Sequence, residues 1–196
     1  MNLPNKITLT RILMIPIFVA IFFLDIPFAF GIAAIVFALA ACTDFIDGHI
    51  ARSRGLVTNL GKFLDPIADK VLVSTAMLLI LTMKDSLFAQ FSCANALYIA
   101  TAVCTCIIMA RELIISAFRQ IAATRGLVMA ADKLGKYKTT FQDISIFALI
   151  FSASLTGSAM KVVAIIGLVL FAVATILTVL SGVSYVVKNK QVLKDE

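Results

Sequence analysis

Charge is scarce in this sequence. Only 14% of its 196 residues are Asp, Glu, Lys or Arg, against about 25% in soluble globular chains, and 61% are hydrophobic, with a mean hydropathy of +1.04. That shortage excludes an ordinary soluble domain. Cysteine is sparse and badly spaced for chemistry: Cys42, Cys93, Cys104 and Cys106 form no C-x-x-C pair and sit in apolar runs, which excludes a zinc finger or a dithiol redox site and leaves small reduced hydrophobes. The single histidine, His49, is too little for an imidazole-based metal site. Linkers, low-complexity tracts, repeats and charge blocks are missing as well, so one helical domain over residues 1–196 is expected. The opening MNLPNKITLTR is a poor basic leader with no clean cleavage site after it, and retention of the N-terminus is expected.

Long apolar runs are abundant. The uncharged stretches 26–43, 86–110, 144–160 and 162–187 approach or exceed the roughly 20 residues that cross a hydrocarbon core. Segments 8–24 and 63–83 complete a crossing by carrying polar residues at one end. The expected fold class is therefore all-α, an integral membrane bundle of six transmembrane helices. If these alternate from a cytoplasmic start, all but Lys84 and Lys161 of the 17 lysines and arginines lie at cytoplasmic ends, a strong positive-inside bias that places both termini in the cytoplasm. The net charge of +6 then describes a basic inner face suited to anionic lipid or phosphate substrates, with no nucleic-acid partner expected.

Within this apolar background, acid is concentrated where it is costly. Between Asp44 and Asp69 the chain reads DFIDGHIARSRGLVTNLGKFLDPIAD. An Asp in a membrane helix costs on the order of 2.5–3.5 kcal/mol at mid-bilayer and less near the interface, so four of them require a compensating cation. Asp44 and Asp47 are spaced i, i+3 and Asp65 and Asp69 i, i+4, which puts each pair on one face of its helix. Two facing pairs make a cage for a divalent ion, and hard carboxylate oxygens suit Mg2+ better than an imidazole such as His49 would. The expected helix through Arg52 and a following helix from near Gly61 place the acids at the membrane edge. Gly48, Ala51 and Gly61 keep the surface beside them low, so a base or diphosphate can approach, and Arg52 offers a planar fork to phosphate oxygens. Taken singly, Gly48 and Ala51 would also serve as helix-packing positions, and Arg52 as a positive-inside anchor.

Asp44, Asp47, Gly48, Ala51, Arg52, Gly61, Asp65 and Asp69 together complete the pattern D-x2-D-G-x2-A-R-x8-G-x3-D-x3-D. In this the chain resembles the CDP-alcohol phosphotransferases. The resemblance implies a six-helix membrane enzyme, commonly a homodimer, in which Asp44, Asp47 and Asp65 bind metal, Mg2+ or Mn2+ in two sites, and Asp69 is the general base that also touches metal. It implies a nucleotide site formed by Asp44, Gly48, Ala51, Arg52 and Gly61, with Asn5 and Thr8 of the first helix helping to line it. NLPNKITLTRI at 2–12, ARELIISAFRQ at 110–120 and KLGKYKTTFQ at 133–142 narrow the likeness to the bacterial branch that makes phosphatidylglycerophosphate in the cytoplasmic membrane. The implied substrates are CDP-diacylglycerol and sn-glycerol 3-phosphate, with the active site facing the cytoplasm.

The second substrate carries its own phosphate, and the basic cluster at about 111–138 is where it is expected. Arg111, Arg119, Lys136 and Lys138 are the candidate ligands, although a pair between Arg111 and Glu112 would equally serve as a structural salt bridge. Lys188, Lys190 and Lys194 read as simple snorkelling anchors. Two alternatives stand beside this reading. The same chemistry could use inositol phosphate, serine or phosphatidylglycerol as acceptor, since the Asp pattern is blind to it. A divalent-cation transporter would also carry membrane Asp residues, but should continue them to the far side, and the later helices show no such acidic path.

Overall fold

The computed structural model describes the backbone of residues 3–53, 59–124 and 133–190 and the side chains of 6–43, 64, 67–122 and 134–190. Among these residues there is no β-strand, and six long helices carry the fold: α1 (Leu3–Phe22), α2 (Ala29–Ser53), α3 (Asn59–Thr82), α4 (Ala94–Thr124), α5 (Lys133–Ser152) and α6 (Gly157–Lys188). α1 already begins at Leu3, because Pro4 is well tolerated in a first turn, where its missing N–H has no helical partner to lose. Asn5 and Thr8 therefore lie inside the helix rather than ahead of it, and Thr8 is fully buried. Pro16 sits within α1, which continues through it although the ring removes the bond that the Ile12 carbonyl would accept.

Two boundaries differ from those read off charge alone. The apolar stretch 86–110 does not start a helix; a π-helical turn, Lys84–Phe88, comes first, pinned by the buried side chains of Leu87 and Phe88, and α4 then runs past the charges to Thr124. The break between the last two helices falls before Gly157 rather than at Lys161, because Gly157 adopts a left-handed conformation (φ 63°) at the start of α6. A glycine takes that conformation at little steric cost. Lys161 is merely an exposed residue within α6.

The helices touch as a closed ring in the order α1, α2, α5, α6, α4, α3 and back to α1, with α3 also reaching α5 across the middle. Small side chains permit this closeness: Ala33, Ala34 and Ala40 of α2 and Ala76 of α3 are entirely buried, as expected where helix backbones approach. Aromatic rings fill the remaining space between α1 and α2, with Phe18 and Phe37 at 6.0 Å between centroids. On α6, a Cβ at Gly167 would fall 2.9 Å from the Leu149 side chain and 3.2 Å from its backbone nitrogen, so α5 and α6 are in near-backbone contact there.

Outside, the pattern is inverted relative to a water-soluble protein. Leu13, Phe23, Leu39, Ile99, Leu113, Ile114, Ile176 and Val187 are all exposed, while Thr101, Gln142, Ser145, Ser152 and Thr178 are buried. Apolar surface on this scale marks contact with lipid or protein rather than with water. Among the described residues, two helices, α4 over Ala94–Ala122 and α6 over Gly157–Lys188, are long and apolar enough to cross a membrane, and the apolar part of α2, Ala29–Thr43, is shorter.

Candidate active site

α2 and α3 bring the acidic motif to one end of the ring. Asp44 and Asp47 lie in the last turns of α2, Asp65 and Asp69 in the second and third turns of α3, and only residues 54–58 separate the two helices, which touch each other. Asp65 and Asp69 are one turn apart, about 6 Å along the axis. The side chains of Asp44, Asp47, Gly48, Ala51, Arg52, Gly61 and Asp65, and that of Asn5, lie outside the described residues, so it is Asp69 that anchors the site in atomic detail.

Asp69 lines a pocket of about 50 Å3 where α3, α4 and α5 meet. α3 presents Asp69, Val73 and Met77 at intervals of four, with Lys70 and Ser74 beside them; α5 presents Lys138 and Gln142, with Thr139 and Asp143 one position on. Each set is one face of a helix. α4 contributes Glu112. The volume suits an ion with a water molecule or a small polar group, and three carboxylates and two ammonium groups border it. Gln142, almost fully buried, directs its amide nitrogen at the Met77 sulfur, 3.4 Å away.

The cations around this pocket are held by a network centred on α4. Lys138, only 6% exposed, donates to Glu112 Oε1 at 2.5 Å, and Arg111 Nη1 donates to the same oxygen at 2.9 Å. Arg111 Nη2 donates to Ser181 Oγ on α6 at 2.9 Å. Lys70 donates to Ser116 Oγ, whose hydroxyl donates to the Glu112 carbonyl at 2.5 Å. Farther along α4, Arg119 Nε donates to Tyr185 Oη at 3.1 Å, with the guanidinium over the Tyr185 ring at 5.2 Å.

The basic residues singled out in the sequence therefore part company. Lys138 lies in the pocket with Asp69, Arg111 reaches it through Glu112 while gripping α6, Arg119 faces Tyr185, and Lys136 is exposed and does not line the pocket. The suspected pair of Arg111 with Glu112 is present. Glu112, Asp143 and Lys70 were not among the sequence-derived site residues, yet they line the pocket. Their signal was the presence of ionisable groups inside largely apolar helices, where such residues turn inward. On α1, Arg11 is completely buried and its Nε donates to the Ala40 carbonyl and to Thr43 Oγ1, both at 3.2 Å, one residue before Asp44.

A larger groove of about 500 Å3 lies between α4 and α6, lined by Ile107, Ile114, Ile115, Val179 and Val183 with Arg111 at its edge. Its lining suits hydrocarbon. Among the described residues no group of three His, Cys, Asp or Glu is arranged to hold a metal, and three of the four expected ligands have side chains outside that set. The donor chemistry nevertheless fits a hard cation: Asp69 faces a pocket of ion size, and the backbone brings the Asp44 and Asp47 turns of α2 to the neighbouring end of α3.

Residues 1–187 match the CDP-alcohol phosphatidyltransferase family. The chain is 40% identical to a CDP-diacylglycerol–glycerol-3-phosphate 3-phosphatidyltransferase of Bacillus subtilis, with 98% of this chain and 97% of that one covered. It is 35% identical to proteins of the same description from Rickettsia typhi, covering 94% of each chain, and from Shigella flexneri, covering 100% of this chain and 98% of that one.

Proposed function

The chain belongs to the CDP-alcohol phosphatidyltransferase family, and from that footing we propose that it transfers the phosphatidyl group of CDP-diacylglycerol to sn-glycerol 3-phosphate, giving phosphatidylglycerophosphate and CMP. The observation that carries this reading is the meeting of Asp69 with Lys138 in one pocket, a base and a phosphate-binding cation brought together from α3 and α5. It is supported by relatives that align with this chain over 94–98% of their length and whose names specify that transfer.

In this mechanism Asp69 accepts the proton of the glycerol hydroxyl as its oxygen attacks the lipid-side phosphorus, and the bond to the CMP oxygen breaks. Lys138 binds the acceptor's phosphate, with Arg111 acting from behind Glu112; Lys136 and Arg119, first expected beside it, do not line this pocket. Asp44, Gly48, Ala51, Arg52 and Gly61 receive the nucleotide, together with Asn5 and Thr8 from α1. Asp44, Asp47, Asp65 and Asp69 are the residues that would hold Mg2+ or Mn2+, in two sites, and that charge would neutralise the diphosphate and the departing CMP.

The setting we propose is a bacterial cytoplasmic membrane, with all six helices spanning it, both termini and the active site on the cytoplasmic side, and a homodimer as the working unit. Lysine and arginine placement along the sequence supports the orientation, and the exposed apolar side chains support the membrane setting. The test is an acceptor assay on purified protein in detergent with CDP-diacylglycerol and Mg2+. CMP should be released with glycerol 3-phosphate and not with inositol phosphate, serine or free glycerol. Equal release with free glycerol would remove the phosphate-recognising role from the basic cluster.

A further inference from the structure

Glu112 is the sole acid of α4, and the proposed reaction leaves it without a task. A carboxylate beside a phosphate-binding pocket repels the ligand, so its presence calls for a compensating benefit. Its contacts supply one. Oε1 accepts from Lys138 of α5 and from Arg111 of its own helix, whose other arm reaches Ser181 of α6. The Glu112 backbone carbonyl accepts from Ser116, which in turn receives Lys70 of α3. The Glu112 side chain thus fixes two cations and links α4, α5 and α6 beside the pocket that holds Asp69, and its backbone carbonyl, through Ser116, adds a tie to Lys70 of α3.

Lysine is a flexible stem ending in three donors. In a buried place it needs an anion, and without one it would turn away or lose its proton. With one donor fixed on Glu112, two remain for a ligand. We infer that Glu112 is a positioning residue for the acceptor: it holds Lys138 at a set point beside Asp69, so that the acceptor's phosphate and the hydroxyl to be deprotonated are placed in one register. This rests on the reading of Lys138 as an acceptor-phosphate ligand and Asp69 as the base.

Steady-state kinetics on the full-length protein in detergent test it, using Glu112→Gln, Glu112→Asp, Lys138→Met and the double variant Glu112→Gln/Lys138→Met. Losing a charge-assisted hydrogen bond at Lys138 should raise KM for glycerol 3-phosphate about ten- to a hundredfold. The KM for CDP-diacylglycerol should stay within about twofold of wild type, since the nucleotide is read by other helices. Glu112→Asp is too short to hold both cations and should show the same split. The double variant should be no worse than Lys138→Met alone, because the two residues act as one unit. Equal loss for both substrates, or multiplying effects in the double variant, would make Glu112 a structural residue and overturn the proposal; so would failure of both Glu112 variants to fold, judged by thermal unfolding. The wild-type control separates the two levels: CMP release that ignores glycerol 3-phosphate refutes the reaction and this role together, whereas a normal wild type beside a Glu112→Gln enzyme of unaltered KM refutes this role alone.

Discussion

Asp69 and Arg11 show how single residues acquire their meaning from their neighbours. An aspartate is a weak base for an alcohol, and Asp69 becomes useful only because it borders a small polar pocket among apolar helices. Asp69→Asn keeps the shape and an oxygen but removes the proton acceptor; turnover should fall by about 10²- to 10⁴-fold, read as CMP release, while Mn2+ binding to the other carboxylates persists. Comparable losses of turnover and of Mn2+ binding would recast Asp69 as a ligand first. The motif acids were legible in the sequence, since four carboxylates at helical spacing in an apolar chain have few explanations. Arg11 and Lys70 were not. Both look like cytoplasmic anchors by position, yet Arg11 is fully buried on the Ala40 carbonyl and Thr43, and Lys70 reaches Ser116. Helices that are hydrophobic on most sides offer no amphipathic face from which to tell an inward cation from an outward one.

At the level of the element, helix identity was readable and helix limits were less so. Apolar runs locate the helices, but the chain turns where backbone and packing require it. The left-handed Gly157 opens α6 four residues before the charge that seemed to mark the break, and the burial of Leu87 and Phe88 inserts a π-helical turn ahead of α4. The α5–α6 contact depends on Gly167 in a way that composition alone does not reveal. Gly167→Ala would drive a Cβ to 2.9 Å from Leu149 and should cost about 1–3 kcal/mol as an overpacked contact, seen as a lower unfolding midpoint in detergent. Gly135, with nothing within 4 Å of an added Cβ, is the control position: Gly135→Ala should leave that midpoint unchanged or slightly raised, since alanine favours helix by about 1 kcal/mol over glycine.

Across the whole molecule, an all-helical chain rich in lipid-compatible surface was evident from composition, whereas the ring order was not. Nothing in a hydropathy profile says that α5 follows α2 around the ring, or that α3 crosses to α5 and so brings Lys138 to Asp69. That convergence turns a linear motif into a site. It also explains why basic residues only two positions apart in sequence divide, Lys138 inside and Lys136 exposed at the surface. The account stands on the ends of α2 and α3 acting as one anionic centre. Mn2+ binding to the full-length protein in detergent, followed by electron paramagnetic resonance in wild type, Asp44→Asn and Asp65→Asn, measures this most directly. Each variant, one on either helix, should weaken binding by about tenfold or more; retention of wild-type affinity in either one would mean that the two helices do not share an ion.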